Sequence, residues 1–151
     1  DPLWSRGLGD VYKRQPVHYL YSSLRLTYDG LPPIVNARGS INLLKQLGQP
    51  LNQRLTPDGY PLSQSDWAGS GQMTARFEIA STIAGAPRVF YREKPDEQPP
   101  NVPRPPHLLK ANAGNGLFST LSPRTREAIE QAKSTPVANT YLLASPEFMR
   151  R

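Results

Sequence analysis

Proline placement constrains this chain more than any other feature. Each proline fixes φ near −65°, offers no amide donor, and clashes with the helical turn before it. The chain has 17 prolines in 151 residues, about twice the ordinary share. Seven of them fall between Pro87 and Pro106, separated by Arg92, Glu93, Lys94, Asp96 and Glu97. Such a composition builds no packed core and reads as polyproline II or an irregular surface excursion. Pro100-Asn101-Val102-Pro103 satisfies PxxP, a match that any proline-rich linker produces by chance.

Between the prolines, hydrophobic spacing predicts helices. Val17, Leu20, Tyr21 and Leu24 make one face of a helix over Val17 to Thr27, stopped by Asp29-Gly30 and Pro32-Pro33. A second helix is expected from Ala37 to Leu47, with Ile41, Leu44 and Leu47 as its stripe, Leu43 beside them, and Gly48 as its cap. A third is expected after Ser70, with Met73, Phe77, Ala80 and Ala84 inward and Gly85 and Pro87 ending it. Arg76 and Glu78 lie off that stripe. Ser122-Pro123 opens a helix to about Lys133, and Thr135-Pro136 opens one over Val137 to Ala144 with Val137, Tyr141 and Ala144 on one face. Ser145-Pro146-Glu147 starts a last turn carrying Phe148. No strand-like alternation survives. The expected class is mainly α, an irregular assembly of about five helices with long proline-rich loops and no substantial sheet.

The first fifteen residues, DPLWSRGLGDVYKRQ, show neither a helical nor a strand period. They resemble translated sequencing-adapter read-through, with Gly7 to Gln15 as the specific part; a natural irregular arm is the alternative. Residues 1–15 are therefore expected to be non-native, and 16–151 to be a helical segment of a larger domain. Without them, 15 basic and 10 acidic residues remain over 136 positions, a net charge of +5.

Most catalytic chemistry has no foothold here. The chain has no Cys, which excludes thiolate metal sites and cysteine nucleophiles in this piece. It carries no GxGxxG, Walker loop, HExxH or GxSxG. His18 and His107 stand 89 residues apart. No cofactor or metal is expected. Arg25, Arg38, Arg54, Arg76, Arg88, Arg104 and Arg124 are scattered, whereas phosphate-backbone binding wants clustered charge, so no nucleic acid is expected. No apolar run approaches the ~18 residues of a membrane span.

One stretch does suggest a site. Pro57, Asp58, Gly59, Tyr60 and Pro61 form a turn, because Pro presets its first position and Gly tolerates φ > 0. Asp66 and Trp67 follow. Carboxylates beside aromatic platforms suit a sugar cleft. The same residues also suit a sealed turn, with Asp58 bonding its own backbone and Asp66 capping the next helix. Arg76 is a candidate buried ion-pair partner for Asp58 or Asp66.

The order LGQPL (Leu47 to Leu51), TPDGYP (Thr56 to Pro61), Trp67, Ala75-Arg76-Phe77 and closing LLASPEFMRR (Leu142 to Arg151) resembles the C-terminal end of the bacterial domain-of-unknown-function 1800 family. The resemblance covers about Pro16 to Arg151. It implies a largely helical fold, a parent chain of several hundred residues, export to the periplasm or beyond, and a sulfatase-like protein encoded nearby as a possible partner. The family's central NYARELLELHTLG-type helix is absent from this sequence, and the resemblance transfers no catalytic residue. Three functional expectations follow: a structural or interaction segment of a larger exported protein, whose partner is the rest of its own chain; part of a hydrolase, or a hydrolase's partner, acting on polysaccharide or sulfated substrate; or an anionic-polymer binder.

Overall fold

Three helices begin on the prolines that the sequence places for them. In the computed structural model, which describes residues 15–49, 70–92, 94, 96, 98, 102–114 and 116–149, α1 spans Pro16–Tyr28. Helix α2 spans Ala37–Gln46 and α3 spans Ser70–Ala84. A 3₁₀ turn, Arg88–Tyr91, follows α3. Short helices α4 (Leu108–Ala111) and α5 (Gly116–Ser119) lead to α6 (Pro123–Glu130), α7 (Thr135–Leu143) and α8 (Pro146–Met149). Five of these helices have eight or more residues. The class is mainly α, with no strand among the described residues.

Helix α7 is the centre of the packing, touching α3 most extensively and also α4, α6 and α8. Arg76 on α3 and Leu143 on α7 share the Tyr19 hydroxyl. At the other end, Ala84 to Ala86 face the same cleft as Thr135 and Pro136. The two helices are therefore antiparallel. Helix α1 joins this pair along α3. The Tyr19 hydroxyl lies 3.3 Å from the Arg76 carbonyl, and the Tyr28 hydroxyl donates to the Ile83 carbonyl at 2.7 Å. The numbers rise together, so α1 and α3 run in the same direction. Burial raises the Tyr28 pKa, with Tyr91 adding to the shift. The phenol stays protonated as a donor.

Helix boundaries follow the sequence signals closely, and the expected stripe of α2 is inward at Leu44 and Leu47, with Leu43 beside them, but the buried faces of α1, α3 and α7 differ from expectation. On α1 the inward residues are Pro16, Tyr19, Leu20, Ser23 and Thr27. Val17 is exposed, and Tyr21 is 64% exposed. On α3 they are Arg76, Ile79, Ala80, Ile83 and Ala84. Phe77 is 47% exposed and Arg76 is fully buried, the reverse of the expected stripe. Ser70 is the first residue of α3 rather than its cap. On α7 Ala138, Asn139, Thr140, Leu142 and Leu143 are all buried, while Tyr141 faces out. A helix surrounded by neighbours has no single apolar stripe to find.

Gly48 takes φ +79° just after α2, the left-handed position that a helix end favours. At the end of α3 the left-handed residue is Ala86, at φ +52°, and not Gly85. The proline-rich stretch also departs from expectation at its start. Phe90 lies fully buried in the core, edge-on to Tyr28 with ring centroids 5.9 Å apart. Its carbonyl accepts from the Val35 and Asn36 amides at 2.9 and 3.1 Å. Gly39 makes room for it, since a Cβ there would stand 2.9 Å from the Phe90 ring. Residues 102–107 have no regular secondary structure.

Candidate functional site

Of the residues singled out from sequence, Arg76 is described, and Pro57, Asp58, Gly59, Tyr60, Pro61, Asp66 and Trp67 lie outside the described residues. Arg76 stands in the first half of α3 with its guanidinium carbon 5.0 Å from the centroid of the Tyr19 ring. A desolvated cation–π contact of this kind contributes about 2 kcal/mol. Desolvation lowers the Arg76 pKa, and Tyr19 acts in the opposite direction. Tyr19 donates to the Leu143 carbonyl at 3.0 Å and packs edge-on against Phe148 at 6.0 Å. One aromatic side chain thus links α1, α3, α7 and α8.

Two glutamines mark where the 50–69 segment leaves and returns. Gln49 Oε1 accepts from the Val17 amide at 2.9 Å, satisfying a first-turn donor of α1. Gln72 Nε2 donates to the Leu47 carbonyl at 2.7 Å. These two bonds tie the end of α2 to the starts of α1 and α3.

Two polar clasps elsewhere escaped the sequence reading. Asn139, buried on α7, accepts from the Leu108 amide at 2.9 Å and donates to the Pro106 carbonyl at 2.8 Å. It satisfies the end of the proline-rich stretch and the start of α4 together. The available signal was an Asn inside an apolar helix, a placement that needs a partner when buried. The second clasp is Glu147 on α8. Its carboxylate accepts from the Ser122 amide at 3.2 Å and from the Thr125 hydroxyl at 3.0 Å. Ser122 Oγ in turn accepts from the Thr125 amide at 3.2 Å. In a capping box the third helical residue reaches back to the cap amide. Here a carboxylate from another helix does so. Desolvation would raise the Glu147 pKa, but hydrogen bonds from its own backbone, Ser122 and Thr125 bring it below the ordinary value.

A ligand-sized cleft lies away from Arg76. A cleft of about 730 Å³ opens among α4, α5, α6 and the start of α7, bordered by His107, Lys110, Ser119, Arg126, Glu130 and Thr135. A second cleft of about 610 Å³ shares His107 and Thr135 and adds Arg104. Nothing in the spacing of these residues announces the site, because they come from five separate segments. Among the described residues no group of three His, Cys, Asp or Glu is placed to hold a metal ion. None of the described helices is long and apolar enough to cross a membrane.

The fold is thus a mainly helical module clasped by buried polar side chains. The family model described as "Protein of unknown function (DUF1800)" matches residues 3–150, and the chain belongs to that family. No curated protein and no solved structure matches the chain.

Proposed function

We propose that the chain acts as a packing and interaction module within a longer protein of this family, the partner being the rest of its own chain. The observation that carries this is the buried Arg76 beneath the Tyr19 ring, which commits a charged side chain to joining helices rather than to a surface. Export, and a sulfatase-like partner, follow from the family resemblance and belong to the same proposal. Arg76→Ala tests it by thermal and denaturant unfolding. It should destabilise the chain by about 3 kcal/mol or more, the range for emptying a large buried side chain. Unchanged stability would overturn the proposal.

A further inference from the structure

We propose that the cleft among α4, α5, α6 and α7 binds a small hydroxylated organic anion, a sugar acid or an ester of similar charge. This goes beyond the packing role of Arg76, which lies on α3, outside this cleft. The volume of about 730 Å³ falls within the range of small-ligand sites. Lys110 and Arg126 bring two positive charges to it, and Glu130 brings one negative charge. Among the described lining residues the charge is thus net positive, which favours an anion.

Donor and acceptor are arranged for a ligand with two kinds of group. Arg126 and Glu130 both belong to α6 and are four residues apart, so their side chains are neighbours on one face. An oxyanion meets Arg126 and Lys110, and a hydroxyl on the same ligand donates to Glu130. At the start of α7, the Ser134 side chain makes no capping hydrogen bond. Ser134 and Thr135 both line the same cleft. His107 Nδ1 accepts from the Lys110 amide at a long 3.4 Å. In the neutral ring this leaves Nε2 as the protonated nitrogen, a further donor. Asn139 fixes the Pro106–Leu108 backbone on which His107 sits. The wall is therefore built before any ligand arrives, which reduces the ordering cost of binding.

The test is titration of the isotope-labelled full chain with glucuronate, glucose and inorganic phosphate, followed by amide chemical shifts. Glucuronate should give saturable shifts centred on His107, Lys110, Arg126, Ser134 and Thr135, and glucose should bind at least about tenfold more weakly. Lys110→Gln should weaken glucuronate about tenfold with unfolding unchanged, since Lys110 is exposed. Glu130→Leu should tighten inorganic phosphate by removing a like charge, yet weaken glucuronate by removing the hydroxyl's acceptor. Glucose binding as well as glucuronate, shifts centred elsewhere, or absence of saturation into the tens of millimolar would each overturn the proposal. So would equal changes for phosphate and glucuronate in Glu130→Leu.

Discussion

The two ends of the proline-rich stretch are held by opposite means. At its start Phe90 plunges into the core, and Gly39 is cut back to admit the ring. At its finish the large side chains that enter the core, Leu108 and Leu109, belong to α4 rather than to the stretch itself. Instead Asn139 reaches out from the central helix and bonds the backbone of Pro106 and Leu108. An apolar anchor gains free energy in rough proportion to the area it buries and tolerates small shifts of position. A polar clasp depends on direction, and when this one fails it leaves the buried Leu108 amide and the partly buried Pro106 carbonyl without their partner. The two described ends of the stretch thus differ in their main anchor, an apolar side chain at one and a polar clasp at the other.

Phe90→Ala should have the largest effect, about 3–5 kcal/mol, because it empties a core site. Hydrogen exchange should rise first at the Val35 and Asn36 amides, which bond the Phe90 carbonyl. Asn139→Ala should cost about 2–4 kcal/mol for the two abandoned backbone partners. Its exchange signature should fall on Leu108. If each variant loosens both ends equally, the anchors are one cooperative unit and the contrast between them dissolves. Comparing the double variant with the sum of the singles measures that coupling.

The smallest effect separates polar from apolar clasps by pH. Glu147 carries a pKa below its ordinary 4.5 in the folded chain. Its stabilising contribution is therefore full above pH 4.5 and is lost as pH falls through the lower folded value. Glu147→Gln should cost about 1 kcal/mol near neutrality and flatten the acid limb of the stability curve. Phe90→Ala should keep that limb. Equal acid sensitivity in wild-type and Glu147→Gln chains would remove Glu147 as its source.

Helix ends were legible in the sequence because their signals are local. Pro123, Pro136 and Pro146 each stand in the first turn of a helix, and Gly48 adopts the expected left-handed conformation. Helix faces were much less legible. Periodicity ranked Phe77 above Arg76, but the structure inverts them, since a tyrosine from α1 makes a buried place for the guanidinium. Ser23 and Thr27 are buried with hydroxyls that no hydrogen bond satisfies, so a search for apolar stripes passes over the true inward face of α1. On α7 the prediction of one stripe failed because neighbours cover most of its circumference. Of the candidate site, the sequence singled out Arg76 as a possible buried partner. The His107–Arg126 cleft was invisible to it, being a product of how short helices meet.

The Tyr19 hydroxyl and the Leu143 carbonyl are 124 residues apart in the chain. A ribosome delivers Tyr19 long before it delivers Leu143. During synthesis α1 must wait without one of its acceptors, and without the Phe148 ring that closes over its own. Contacts of such long sequence separation form late and slow a fold down. The final helices, though short, are therefore what completes the first one.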